Sequence, residues 1–320
     1  MADARDTTAR RLATPSWGDV VFRAVLTLFA VIGPFLLLAI IGQLAIESWP
    51  SIQKYGIGFI FNSTWDPVHD IYGAAPMIFG TLLSSFIALV IAVPLAVGVA
   101  IFLTEFAPKW TRGPVATLVE LLAAIPSVVY GLWGIFVLIP LMRSYLVPPL
   151  KALFGWTPFF SGPFYGSSML AAGIILAIMI LPYISSVARE VVHAVPASQR
   201  EAALALGATR WEAVWTTILP YARSGIVGAV VLGLGRALGE TMAVTMVIGN
   251  RHDIGISLIQ PGYSMAAIIA NEFNEAVGMQ RAALFEIGLV LFGVTILVNA
   301  AARVLVWRVA RGRAIGSSAL

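Results

Sequence analysis

Residues 224–248 read SGIVGAVVLGLGRALGETMAVTMVI, an apolar run in which Arg236 and Glu240 are the only charges. A helix rises about 1.5 Å per residue, so a run of this length crosses a hydrocarbon core about 30 Å thick. It offers water no polar stripe, and so reads as a membrane span rather than the surface helix of a soluble domain. The two opposite charges near its middle are then the anomaly to explain.

Five further runs of the same kind lie at about 24–46, 75–104, 115–141, 168–187 and 282–302. Hydrophobic residues make up 59% of the 320 and charged residues 11%, with a mean hydropathy of +0.90. A soluble domain carries about 25% charged residues. The alternating segments of a membrane barrel are absent. The expected fold class is therefore all-α integral membrane with six transmembrane helices. The expected organisation is a tail over 1–23, a transmembrane domain over 24–302 and a tail over 303–320. The first run follows Arg5, Arg10, Arg11 and Arg23, is too long for a signal-peptide core and ends in no Ala-x-Ala site, so it reads as an uncleaved anchor. Pro34, Pro94, Pro126 and Pro182 fall inside spans, either as packing kinks or as kinks lining a solute path. Pro126-Ser127 beside Tyr130 is the place to look for the second.

Charge sets an orientation. The N-terminal tail, the connections 105–114 and 188–223 and the C-terminal end hold 14 of the 20 Lys and Arg. The other connections hold Lys54, Arg143, Lys151, Arg251 and Arg281. This alternation predicts that both termini are cytoplasmic. The outer connections carry Trp49, Trp65, Trp156, Phe159 and Phe160, as expected of side chains at a membrane interface.

Several chemistries are disfavoured. There are no cysteines, and His69, His193 and His252 are scattered, so neither a disulfide framework nor a metal site is expected. No lysine follows Gly-x4-Gly, so the chain does not carry a phosphate-binding loop of its own for ATP. No span contains His or Asp. No catalytic residue, resident cofactor or nucleic-acid partner is expected, and the basic excess is spent on topology.

The connection 196–220 is the most structured segment outside the spans. Ser198-Gln199-Arg200-Glu201 and Thr209-Arg210-Trp211-Glu212 both have the spacing of capping boxes. Gly207 suits a left-handed position between two helices. Trp211, Val214, Trp215 and Ile218 form an apolar stripe in the second helix, which Pro220 is expected to stop. The loop either lies on the membrane as an amphipathic cap or, given the small side chains of its first helix, enters a groove of another protein.

Arg236 and Glu240, at i and i+4, share one helix face and can pair. One reading is an internal salt bridge. The other is an anion site, in which Arg236 offers its guanidinium fork to an oxyanion and Glu240 holds the cation between anions. Gly225, Gly228, Gly235 and Gly239 suit close approach of neighbouring helices, with Gly235-x-x-x-Gly239 a small-residue contact pattern.

These residues carry a resemblance. Glu201-Ala202-Ala203, Gly207 and Leu219-Pro220 resemble the EAA loop of ABC importer permeases, with Thr217 where that pattern has Ile. Residues 235–244, GRALGETMAV, resemble the signature of phosphate-specific permeases. Residues 120–131, ELLAAIPSVVYG, are more like the PstC branch of that family than the PstA branch. The resemblance implies a MetI-like fold with cytoplasmic coupling helices, in a bacterial inner membrane. It implies a PstA-like permease as heterodimer partner, two copies of a PstB-like ATPase that bind the ATP, and a PstS-like phosphate-binding protein. Carried over residue by residue, Arg236 and Glu240 lie on the substrate path, and Glu201, Ala202, Ala203 and Gly207 at the ATPase contact. A permease for sulfate or molybdate is the nearest alternative.

Overall fold

The computed structural model describes residues 17–311, with side chains through residue 304. Arg5, Arg10, Arg11, Arg308, Arg311 and Arg313, which weigh in the charge argument, lie outside those described side chains, as do most of the expected tails.

The elements in chain order are α1 (Trp17–Tyr55), α2 (Ala75–Phe106), α3 (Lys109–Ala124), α4 (Ser127–Phe154) and α5 (Met169–His193). After these come α6 (Ala197–Ala205), α7 (Arg210–Leu238), α8 (Met242–Val247), α9 (Met265–Glu272) and α10 (Gly278–Arg311). Six of them, α1, α2, α4, α5, α7 and α10, are long and apolar enough to cross a membrane. Among the described residues, the only β pairing is two isolated bridges.

α5 is the axis of the bundle. It packs along α2, with α7, α3 and α8 around it. Ile175, Leu176, Ile180 and Ile184 on α5 are fully buried. α1 leans mainly on α10, and its apolar side chains are nearly all exposed, as suits lipid. The start of α5 is tied to the segment after α8. Ser168, Met169 and Leu170 donate backbone N–H bonds to the carbonyls of Val247, Gln260 and Leu258 at 2.9, 3.0 and 2.8 Å. The Ser168 hydroxyl accepts from Ala171. N–H groups at the beginning of a helix otherwise lack partners.

Two expected spans are not single helices. The run 115–141 is cut at Ile125 and Pro126, whose ψ angles of 128° and 139° are extended. Proline disfavours helical backbone at the residue before it. α3 therefore ends, and α4 starts afresh at Ser127 and continues to Phe154, past the expected limit. The Tyr130 hydroxyl donates to the Leu122 carbonyl at 2.7 Å, meeting one acceptor that the break frees.

The fifth run differs at both ends. α7 begins at Arg210, passes through Pro220 and ends at Leu238, followed by an unwound stretch and then α8. Pro220 does not stop it, because the helix widens just before the ring. The Leu219 N–H bonds the Val214 carbonyl in an i→i+5 turn, which accommodates a residue that has no N–H to give.

Candidate functional site

The central cleft lies between α5 and the end of α7. Tyr183, Ser186 and Val187 face it from α5, and Leu232, Gly235, Arg236, Gly239 and Glu240 from α7 and beyond, around about 490 Å³. On each side the spacing is that of one helical face. The guanidinium carbon of Arg236 lies 4.7 Å from the centre of the Tyr183 ring, a cation–π contact.

Arg236 and Glu240 share this cleft but do not pair; no ion pair among the described residues joins them. The internal salt bridge is thus not the arrangement adopted. The reason is the end of α7 at Leu238, which takes Glu240 out of helical register with Arg236. Glu240 turns instead to the next helix, where its Oε1 accepts from the Ala243 N–H at 3.4 Å. Gly235 and Gly239 border the open cleft; a methyl at Gly235 meets only Asn299 Oδ1, at 4.0 Å. The close approaches are at Gly225 and Gly233 instead, where a Cβ would lie 2.4 Å from Val191 and 2.6 Å from Ile184. The space beside Pro126 and Tyr130, about 370 Å³, is lined by Leu122, Ile125, Val129, Trp133 and Ile178 and is apolar, so the polar cleft lies elsewhere.

The second site is at the basic end. Glu201 and Ala202 on α6 are exposed, Ala203 is partly so, and no residue of that helix is buried. Gly207 has φ +90° and closes the helix, with the Ala208 and Gly207 N–H groups bonding the Ala203 and Leu204 carbonyls at 3.1 and 3.0 Å. The Thr209–Glu212 capping box forms. The Ser198–Glu201 box does not, since α6 is preceded by Pro196 and no side chain caps it. The expected stripe is split by the wide turn. Val214 and Ile218 are buried with Ile101, Val192 and Ala222, whereas Trp211 and Trp215 are 58% and 56% exposed.

Arg200 fastens α6 to the bundle. Its Nη1 and Nη2 donate to the carbonyls of Val195 and Val192, both at 2.8 Å, and its Nε to Glu105 Oε1 at 3.0 Å. Glu105 sits in the wide turn that ends α2.

The family model described as "Binding-protein-dependent transport system inner membrane component" matches residues 92–311. This chain belongs to that family. The permease is similar to phosphate transport system permease protein PstC of Pasteurella multocida, 48% identical over 91% of this chain and 92% of that protein. It is 47% identical to the PstC of Haemophilus influenzae over 94% of this chain and 96% of that one. These relatives put the permease in the PstC branch. Its fold resembles that of the bacterial alginate ABC transporter solved with its periplasmic protein, with a TM-score of 0.58, 16% identity and coverage of 90% and 96%. It also resembles the inward-facing MetNI methionine transporter, with a TM-score of 0.55, 18% identity and coverage of 77% and 99%. The fold is MetI-like.

Arg236 and Glu240, the two charges that stand out in the sequence, line one cleft. Tyr183 and Ser186 line it too and were not expected, although a Tyr and a Ser three residues apart in the apolar run 168–187 are a visible signal. Trp65, expected among the interfacial aromatics, also has a partner within the chain. In the permease Trp65 is 8% exposed and donates its indole N–H to Glu272 at 2.9 Å, beside His252.

Proposed function

We propose that this permease carries inorganic phosphate across a bacterial inner membrane, as the PstC-type subunit of an ATP-driven importer. Arg236 and Glu240 lie on the substrate path, and Glu201, Ala202, Ala203 and Gly207 form the contact with a PstB-like ATPase, present in two copies. Both termini are cytoplasmic. A PstA-like permease is the membrane partner, and a PstS-like binding protein delivers the anion.

One observation carries this reading. Arg236 is exposed on the isolated chain, in a span where an arginine cannot face lipid without a cost of about 2.5–3.5 kcal/mol or more. A water-filled path or a second subunit must therefore cover it. Held on the Tyr183 ring, its fork remains free for phosphate oxygens, and an anion entering a low-dielectric path needs such a cation. The acceptor Glu240 in the same cleft keeps the anion from settling too firmly, as passage requires. At the other end, α6 presents an unburied face of small side chains, fit for a groove in the ATPase. Arg200 links that helix to α5, so movement of the ATPase reaches the helix that carries Tyr183.

Uptake of labelled phosphate and sulfate into proteoliposomes holding the complete transporter tests the reading. The expected result is ATP-dependent phosphate uptake that Arg236→Gln abolishes while the complex still assembles. Preferential sulfate uptake would overturn the substrate, uptake without ATP the mode of transport, and normal uptake by Arg236→Gln the path.

A further inference from the structure

The polar groups of the central cleft are sorted by type. Arg236 can only donate. Glu240 has one long bond from Ala243, and its second oxygen has no hydrogen-bond partner among the described residues. The Ser186 hydroxyl already donates to the Tyr183 carbonyl at 3.1 Å, which leaves its lone pairs to accept. The cleft thus presents a cationic donor together with a carboxylate acceptor that the cation does not pair with.

We propose that Glu240 selects oxyanions that carry a proton, accepting a hydrogen bond from the P–OH of phosphate while Arg236 takes its unprotonated oxygens. This deepens the reading of the cleft as the phosphate path and rests on it. At neutral pH phosphate keeps one or two protons, as does arsenate; sulfate and molybdate keep none. A bare oxyanion must set one of its oxygens against the Glu240 carboxylate with no proton between two acceptors. That contact is repulsive and is not offset by another bond, the more so the less water reaches it. Rejection by a misplaced acceptor discriminates between ligands of equal shape, which a guanidinium alone does not achieve. A closed site built around a substrate hydroxyl rejects an analogue that lacks it by about 10⁴–10⁵, and an open cleft achieves a smaller part of that.

Tyr183 is what makes the arrangement possible. An arginine free to swing would neutralise Glu240 and leave nothing to read the proton. The ring holds the guanidinium away from the carboxylate and keeps both available.

The test must bypass the binding protein, which could itself discriminate. The permease has no cysteine, so Leu232→Cys places a single thiol of this chain on the wall of the cleft. Its rate of alkylation is followed by mass spectrometry in the assembled membrane complex without binding protein, at rising phosphate, arsenate, sulfate or molybdate. Phosphate and arsenate are expected to protect the thiol at concentrations at least about tenfold lower than sulfate or molybdate, and Glu240→Gln to bring the four within about threefold. Equal protection by sulfate and phosphate in the parent, or an unchanged ratio in Glu240→Gln, would overturn the proposal. Protection by no oxyanion, with Arg236→Gln alkylated like the parent, would instead remove the cleft from the path and the proposal with it.

Discussion

The Tyr183 ring lies under the guanidinium of Arg236, 4.7 Å from ring centre to guanidinium carbon, and no comparable contact joins Arg236 to Glu240 four residues along its own chain. The partner of the membrane arginine is therefore a neutral aromatic face on another helix. Such a face fixes the direction of the cation without cancelling its charge.

This predicts a split between two substitutions at Tyr183. A cation–π contact is worth about 0.5–2 kcal/mol, so Tyr183→Leu should lower kcat/KM for phosphate uptake by roughly 3- to 30-fold. Tyr183→Phe keeps the ring and should stay within about twofold of the parent. Initial uptake rates in proteoliposomes measure both. Equal losses would assign the effect to the hydroxyl.

A second prediction concerns the Arg200 fastening. Arg200→Ala leaves the Val192 and Val195 carbonyls and the Glu105 carboxylate without their shared donor, at about 1–3 kcal/mol of stability. A cycle with Glu105→Ala should reveal a coupling of about 1 kcal/mol in thermal unfolding. ATP hydrolysis should continue in the assembled transporter while the phosphate moved per ATP falls. An unchanged ratio would reduce Arg200 to a purely structural tie.

Neighbouring glycines should behave oppositely. Gly233→Ala sets a Cβ 2.6 Å from Ile184 Cγ1 and should destabilise the bundle by about 1–3 kcal/mol through overpacking. Ile184→Ala in the same chain makes room and should recover part of that loss. Gly235→Ala meets nothing closer than Asn299 Oδ1 at 4.0 Å. It should leave thermal stability intact and slow uptake by narrowing the cleft. Assembly yield and unfolding midpoints distinguish the two.

The cluster between α9 and the first long connection is expected to respond to acid. Burial of the Glu272 carboxyl pushes its pKa up, but hydrogen bonds from His252, Trp65 and Gln280 outweigh this and hold it below the ordinary value of 4.5. A carboxylate depressed in the folded state contributes stability that is complete above its unfolded pKa and is lost as pH falls through the folded one. Trp65 fluorescence should accordingly change only as pH falls below the ordinary carboxylate value of 4.5, the upper limit set by that depression. Glu272→Gln should remove the transition. A parent signal unchanged to pH 3 would sink the assignment.

Much of this protein is legible in residue order alone. Apolar runs long enough for a hydrocarbon core, the Arg and Lys bias of alternate connections, and a glycine that closes a short helix are all local properties. A span requires only a continuous stretch of side chains that lipid tolerates, and Gly207 requires only backbone freedom at one position. The charges at 236 and 240 stand out for the same reason, since a charged residue in such a run is costly wherever its neighbours lie.

What the chain order could not decide is which groups meet. The i, i+4 rule pairs Arg236 with Glu240 only while the helix continues, and the unwinding after Leu238 voids it. Tyr183 reaches Arg236, Arg200 reaches Glu105 and Trp65 reaches Glu272 across long stretches of sequence, because α5, α2 and α9 are brought alongside by packing. Composition and spacing thus determine that the protein spans a membrane and carries two charges within one of its apolar runs. Only the tertiary structure decides that those charges stay apart while lining one cleft, because separation depends on where α7 ends and which ring lies beneath the arginine.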